Sequence, residues 1–426
     1  MEVKIKMSIR KLVAKNFKGI AEHLEFDLAP LTIFLGQNSS GKSSCLHALA
    51  ALAQTVKLGD GSRALVLDDE YAQVHLGRFI EIVHTKSYKD PMELGVWVGD
   101  HVLRKPVASK DGKVTHEKLA DGSVSASYTF KSTIKTQEIS VSRAVIVWAS
   151  KELIIEKSGE LYTVSSNQNN EKYRATLTGN FFFQLEWMVD PTEEFFDAYL
   201  MLRNAQDLIA KELRATLYLG PFRISPNRRY AYRGAAPNEV GAQGESAVSL
   251  LVSEHLRSKK RDHALQICTW LDTLGLAKGV SVSRVGKSDL FDVDITLQDG
   301  IELPIADLGY GISQILPVLV QCSFAAKGST LLFEQPELHL HPAAGAKLMH
   351  IFSDVIKKKV TILAETHSPD LIREIFAMLR DKTISLNDVI IYDVCRTGGK
   401  SVYKKLEIYE EDGAFEIDHP WGKGLS

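Results

Sequence analysis

Gly36-Gln37-Asn38-Ser39-Ser40-Gly41-Lys42-Ser43 has the spacing GxxxxGK[ST], and these residue types suit one task, the cradling of phosphates. Gly36 and Gly41 permit a tight turn, so that successive backbone N–H groups across Asn38, Ser39 and Ser40 point inward. The helix that follows, through Ser44, adds a dipole that favours negative charge. Lys42 would reach the β- and γ-phosphates as a point charge. The Ser43 hydroxyl suits Mg²⁺, which keeps several waters and takes one or two protein ligands beside the phosphates. The alternative is a chance match in a Gly/Ser turn. The context on both sides fits the phosphate reading better: an apolar run from Leu31 precedes it, and Leu46, Leu49, Ala53 and Val56 follow at helical spacing. The expected ligands are therefore ATP and Mg²⁺.

A second set of residues lies far downstream. From Pro304, PIADLGYGISQILPVLV joins a glycine-rich turn to a helical pattern; Gly309 and Gly311 allow close backbone approach, and Ser313 falls near the helix start. Thr330 to Phe333 reads as a buried strand ending in Glu334, a carboxylate placed to hold Mg²⁺ directly or through water. Gln335 comes next. Glu337, His339 and His341 then alternate, as a metal cluster on one strand face would, but Pro342 and a helix from Ala343 to Lys358 follow at once, which favours an interfacial loop. Thr361 to Ala364 reads as another strand, continued by Glu365, Thr366 and His367, with Ser368 as helix N-cap and Pro369 at the first helical position.

These segments need a framework. The chain has 426 residues, enough for two to three domains, and 45% hydrophobic residues supply a sizeable core. With 51 basic against 53 acidic residues the net charge is −2, so no global field draws the chain to nucleic acid or membrane. Cys45, Cys268, Cys322 and Cys395 form no CxxC pair, which speaks for reduced thiols in a cytoplasmic setting and against a zinc module. No apolar run approaches the roughly 20 residues of a membrane helix.

In chain order, Met7 to Phe17 and Leu24 to Leu28 read as strands, followed by the phosphate loop and its helix. Residues 93–179 are β-rich with turn signals at Asp111-Gly112, Asp121-Gly122 and Asn167 to Asn170. Pro191 to Ala215 reads as a helix capped by Thr192, with Phe195, Phe196, Tyr199, Leu200 and Leu202 as its apolar stripe. A strand at Leu217 to Leu219, a basic and aromatic run through Arg228, Arg229, Tyr230, Tyr232 and Arg233, and a helical segment over Ser246 to Leu274 complete the pass. The basic run suits a nucleic acid strand, and equally a solvated loop or a nucleotide- or partner-facing surface. The implied organisation is an N-terminal ATPase part over 1–90, an inserted β-rich and helical subdomain over 91–215, and a C-terminal ATPase part over 216–426.

Taken together, Asn16-Phe17-Lys18, GQNSSGKSS, YLGPFR at Tyr218 to Arg223, ADLGYGISQ, LLFEQPELHLHP and ETHSPDLI resemble the ATPase heads of the overcoming-lysogenisation-defect and SMC/RecF-like class, including ATPase subunits of the PARIS and Septu anti-phage systems. The resemblance implies an α/β P-loop NTPase of ABC topology with an inserted arm, and head-to-head homo-dimers, extended into larger rings, around two ATP·Mg²⁺. It implies that Gly309, Gly311 and Ser313 close over ATP held by the opposite protomer, and that His367, 33 residues after Glu334, is the switch histidine on the γ-phosphate. It offers Gln73 as a Mg²⁺-contacting glutamine, against the plainer reading of a surface side chain. It also marks Gln335 as a departure, because such heads place a glutamate there to polarise the attacking water. An amide orients water but accepts no proton, which removes a general-base contribution of roughly 10²- to 10⁴-fold. Three readings stay open: slow hydrolysis with ATP holding an assembly, Glu337 as the base, or an introduced glutamate-to-glutamine change that traps ATP. With 59 residues after His367 and no carboxylate triad among them, nuclease chemistry is expected on another chain. The function expected is a sensor and scaffold in phage defence with a separate effector; the alternative is an ATPase of DNA metabolism that clamps duplex DNA through the basic run.

Overall fold

The computed structural model describes residues 9–59, 63–108, 114–168, 171–188, 190–235, 237–411 and 414–417. The first half of the chain runs β1 (Ile9–Lys15), β2 (Leu24–Asp27), β3 (Leu31–Gly36), α1 (Lys42–Leu58), the single turn α2 (Phe79–Ile82), then β4 (Met92–Ala108), β5 (Val114–Ser132), β6 (Ile139–Trp148), β7 (Lys151–Ser158), β8 (Leu161–Ser166), β9 (Lys172–Gly179), β10 (Phe182–Leu185) and α3 (Glu193–Arg214). The second half runs β11 (Thr216–Leu219), β12 (Tyr230–Ala231), α4 (Ala247–Arg257), α5 (Asp262–Thr273), β13 (Gly279–Arg284), β14 (Leu290–Thr296), β15 (Glu302–Pro304), α6 (Tyr310–Phe324), β16 (Thr330–Glu334), α7 (Pro342–Lys357), β17 (Thr361–Thr366), α8 (Pro369–Arg380), β18 (Val389–Thr397), β19 (Lys400–Lys405), β20 (Ile408–Glu411) and β21 (Ala414–Ile417). They form two compact units, one of residues 1–28, 44–216 and 396–402, the other of 29–43, 217–395 and 403–426.

The first unit is built on a nine-stranded sheet in the order β10-β9-β8-β7-β6-β5-β4-β1-β2. The β-rich stretch is therefore continuous with the N-terminal strands, because β4 pairs antiparallel with β1. Its core centres on Tyr128, Phe130 and Phe181, whose rings pack at centroid distances of 4.4 to 6.5 Å. The turn expected at Asp121-Gly122 does not form. Both residues lie within β5, opposite Val102 and His101, where the register shifts on β4. Gly122 is there for a close approach at positive φ: a Cβ on it would come within 3.0 Å of Ala149 Cβ. The turn expected at Asp111-Gly112 lies outside the described residues.

Helix α3 starts as expected, with the Thr192 hydroxyl accepting the Phe195 N–H at 3.1 Å. Its buried face, however, is Phe195, Ala198, Met201, Leu202, Ala205, Ile209 and Leu213. Phe196, Tyr199 and Leu200 are only half-buried, since the i, i+3, i+4 stripe is set by the sheet it covers rather than by the largest side chains. The helix α1 is buried almost all round from Cys45 to Val56. From inside it, Gln54 donates to the carbonyls of Val66 and Val74 and accepts the Val74 N–H, which secures the irregular segment after α1.

The second unit carries a six-stranded sheet, β11-β16-β17-β3-β18-β19, in which β16, β17, β3 and β18 run parallel. Its inner strands LTIFLG, TLLFE and TILAET are buried at every position, as a parallel strand covered on both faces requires. The segment expected as one helix over Ser246 to Leu274 is two. The chain breaks at Ser258 to Arg261, and the buried Glu254 carboxylate accepts the His263 and Ala264 N–H groups that open α5.

Candidate functional site

Strand β3 delivers the chain to the phosphate loop at Gly36, where a Cβ would sit 2.1 Å from the Val394 carbonyl oxygen of the neighbouring strand. No side chain is compatible with that approach. Gly41 at φ +105° and Ser39 at φ +61° complete the turn; Gln37, Asn38 and Ser39 are exposed, whereas Ser40 and Lys42 are buried. Tyr403 donates to the Gly41 carbonyl at 2.6 Å, and Lys42 Nζ donates to the Gln37 carbonyl at 2.9 Å. The loop thus has its shape from backbone geometry, and its N–H groups open the 17-residue helix α1.

Beside it the parallel pairing of β16 and β17 sets Glu334 directly opposite Glu365, two carboxylates 31 positions apart in sequence. Tyr218, from β11, donates to Glu334 Oε1 at 2.6 Å. Glu365 is hydrogen-bonded to the Ser43 hydroxyl, yet burial and the neighbouring Glu334 push its pKa up to about 7. Its second oxygen is buried with no hydrogen-bond partner among the described residues. Glu337 accepts the Thr366 hydroxyl, its other oxygen is likewise buried and unpartnered, and burial raises its pKa. Lys42 faces all three: burial lowers its pKa, while Glu365, Glu337 and Glu334 oppose that shift.

His367 follows β17 and lies with Nδ1 2.7 Å from the Gly36 carbonyl oxygen. A carbonyl only accepts, so Nδ1 carries the proton, and the 3.3 Å approach of Lys42 Nζ to the same nitrogen is then a charge contact. Burial and Lys42 both lower the pKa of this imidazole. The neutral ring therefore has a bare Nε2, which accepts hydrogen bonds and donates only after taking up a second proton.

Gln335 sits immediately after β16 at φ +44°, with its N–H donated to the Glu365 carbonyl at 3.0 Å. Arg223 holds the same turn from its other side, donating from Nη2 to the carbonyls of Glu334 and Gln335, both at 3.1 Å. Its Nη1 donates to the Gln314 carbonyl of α6 at 3.3 Å, and Gln314 Nε2 returns a bond to the Arg223 carbonyl at 3.4 Å. Gly309 caps α6 and is exposed beside Tyr310, while a Cβ on Gly311 would meet the His339 carbonyl at 3.2 Å. Ser313 is buried and donates its hydroxyl to the Tyr310 carbonyl of its own helix at 3.1 Å.

Glu334, Gln335, Glu337, Glu365, His367 and the phosphate loop therefore lie in one unit, with Gly309, Gly311 and Ser313 on the helix tied to them by Arg223. Ser44 and Gln73 belong to the other unit; Gln73 is half-buried beside Val74, the residue clipped by Gln54. The three alternating side chains after β16, Glu337, His339 and His341, diverge. Glu337 goes to Thr366, His339 lies against the Tyr310 ring, and His341 accepts the Ala343 N–H as N-cap of α7. Among the described residues no group of three or more His, Cys, Asp or Glu could hold a metal. In the basic run, Arg228 pairs with Asp307 and Arg229 with Asp292, so the loop reading of those arginines fits better than the nucleic-acid one. Sequence reasoning gave no role to Glu365, Tyr218 or Arg223. The signals were present in the YLGPFR and ETHSP segments, but only the pairing of β16 with β17 shows where they converge.

The donors suit Mg²⁺. Ser43, Glu334 and Glu365, whose second carboxylate oxygen is buried without a partner among the described residues, offer hard oxygens in the small number that this ion takes beside phosphates and water. Two family models match the chain: one described as an AAA ATPase domain over residues 7–187, the other as an AAA domain, putative AbiEii toxin, type IV toxin–antitoxin system, over residues 190–373. No curated protein matches. Among solved structures, the SMC head domain from Thermotoga maritima is 9% identical (94% of this chain, all of that one, TM-score 0.41). An SMC head bound to the C-terminal winged-helix domain of ScpA is 12% identical (94% and 98%, TM-score 0.44), and an SMC head with extended coiled coil, bound to the C-terminal domain of ScpA from Pyrococcus furiosus, is 10% identical (94% and 96%, TM-score 0.45). The fold is that of an α/β P-loop ATPase: models of AAA and AAA ATPase domains match residues 190–373 and 7–187, and the phosphate loop faces the paired carboxylates of β16 and β17.

Proposed function

We propose that this protein is the ATP-holding sensor and scaffold of a bacterial defence system, one that retains or activates a separate effector of the nuclease class. The observation that carries the reading is Gln335: the residue that follows the end of β16, next to Glu334 and bonded to the Glu365 backbone, is an amide, where the ATPase heads this sequence resembles carry an activating glutamate. The match of residues 190–373 to a family described by a toxin–antitoxin system supports the defence setting.

In this reading the loop amides and Lys42 bind the phosphates, and Ser43, Glu334 and Glu365 would hold Mg²⁺, which when bound would supply positive charge beside the phosphates. Gln335 holds the attacking water through its side-chain oxygen. It takes no proton, so the proton passes to a phosphate oxygen of the substrate and turnover is slow. His367 Nε2, once protonated, donates to the γ-phosphate. Two copies close around ATP through the exposed start of α6, and ATP works as a component of the assembly.

The test is steady-state phosphate release by the parent and by Gln335→Glu, with Lys42→Ala as blank. We expect a near-silent parent and a glutamate variant faster by roughly 10²-fold or more. Equal turnover by the two would overturn the slow-hydrolysis reading and make the protein a working motor.

A further inference from the structure

The guanidinium of Arg223 is an unusual thing to bury. The side chain is 7% exposed, its pKa is brought down to about 10 by that burial, and it remains charged at neutral pH. Its hydrogen bonds go to three backbone carbonyls, those of Gln314, Glu334 and Gln335, and among the described residues no carboxylate lies within ion-pair distance. A cation solvated this way costs several kcal/mol that a pair of apolar side chains would not. What the arrangement provides is geometric. The carbonyls of Glu334 and Gln335 belong to the two peptide planes that flank the Gln335 Cα, so one nitrogen fixes both planes of a residue held at φ +44°, a conformation that a non-glycine residue does not keep unaided.

We infer that Arg223 is a positioning residue for ATP hydrolysis: it sets the direction of the Gln335 side chain and couples that direction to the first turns of α6. The inference rests on the proposed role of Gln335 at the γ-phosphate. The coupling arm is the bond from Nη1 to the Gln314 carbonyl and its return from Gln314 Nε2. Between Gln314 and the exposed cap at Gly309 lies a single helical turn, and there Tyr310 stands 64% exposed with its ring against His339 of the Gln335 loop. A displacement of that surface turn therefore reaches Gln335 by two routes, through Arg223 and through His339. Phe222, the residue before the clamp, is 84% exposed and supplies a second surface handle. Lysine keeps the charge, but its single nitrogen cannot hold the carbonyls of α6 and β16 at once in a planar fork.

The experiment compares the parent with Arg223→Lys and Arg223→Met in three readouts: affinity for mant-ATP with Mg²⁺, single-turnover hydrolysis with protein in excess, and amide hydrogen exchange with and without ATP. Melting temperature serves as the control for folding. For Arg223→Lys we expect mant-ATP affinity within about threefold of the parent and hydrolysis slower by about tenfold to a hundredfold. We also expect ATP to keep protecting residues 37–43 while it stops protecting 309–314. The inference is overturned if Arg223→Lys keeps both the parent rate and the protection of 309–314, or if affinity, rate and melting temperature fall together, as a residue that merely supports the fold would make them. It is overturned as well if ATP does not protect 309–314 in the parent. A parent that binds mant-ATP but never hydrolyses it refutes the hydrolytic role of Gln335, and protection of 309–314 then decides the coupling alone. A parent that does not bind mant-ATP removes the ATP reading and the coupling together.

Discussion

Glu365 is the residue on which the electrostatics of the site turn. In the folded chain its pKa stands at about 7 against 4.5 for an ordinary glutamate, with burial as the first cause and Glu334 as the second. Between those two values the folded state holds a proton that the unfolded chain has released, so stability falls as pH rises through this window. Without divalent metal, the melting temperature of the parent should therefore drop from pH 5 to pH 8, and Glu365→Gln, which carries no charge to bury, should flatten that part of the profile by roughly a few degrees. An unchanged profile in the variant would place the pH dependence elsewhere. The residue was legible in the sequence only as the end of a strand. Its neighbours in space, Ser43 and Glu334, lie hundreds and tens of positions away, and no local pattern records that distance.

Among the elements, the edge of the nine-stranded sheet shows how a side chain can stand in for a strand. The Gln206 side chain, buried on α3, accepts the Phe183 N–H at 2.7 Å and donates to the Phe183 carbonyl at 2.8 Å, occupying the backbone of the edge strand β10. Each buried group left unpaired costs about 1–3 kcal/mol, so Gln206→Ala should lower unfolding stability in urea by about 2 kcal/mol or more. Gln206→Glu, which near neutral pH sets a buried carboxylate oxygen against the Phe183 carbonyl oxygen, should lose at least as much, and should recover stability as pH falls and the carboxyl takes up a proton. A Gln206→Ala chain as stable as the parent would mean that this edge is satisfied in another way. The same scale explains the misread elements. Asp121-Gly122 has turn composition, yet it lies within a 19-residue strand because its neighbours pair on both sides. The helical pattern over Ser246 to Leu274 gave no sign of its interruption because Glu254 caps the second half from within the first.

For the whole molecule the question is what ATP does to its association. With a net charge of −2, copies repel one another weakly, and Phe222 and Tyr310 present apolar surface beside the candidate site. ATP with Mg²⁺ should raise the solution mass measured by light scattering to that of a dimer or a larger ring. Lys42→Ala should stay at the mass of the nucleotide-free protein, and the Gln335→Glu assembly should decay as its ATP is consumed. A mass indifferent to ATP in the parent would separate nucleotide binding from assembly. No helix among the described residues is long and apolar enough to cross a membrane.

The sequence alone determined the phosphate loop, the strand ending at Glu334, the start of α3 at Thr192 and the strand before His367. Each of these is written in contiguous residues whose backbone preferences and periodicities need no distant partner. Only the tertiary structure decided that Glu365 faces Glu334, that Tyr218 donates to that carboxylate and that Arg223 ties the Gln335 turn to α6. It also sent Glu337, His339 and His341 in three directions, and it paired Arg228 and Arg229 with acids. Apart from the local cap that His341 makes on α7, these depend on the register of parallel strands and on contacts between segments about thirty to more than a hundred residues apart. Such contacts are fixed by the burial of the whole sheet, and no short stretch of residues encodes them by itself.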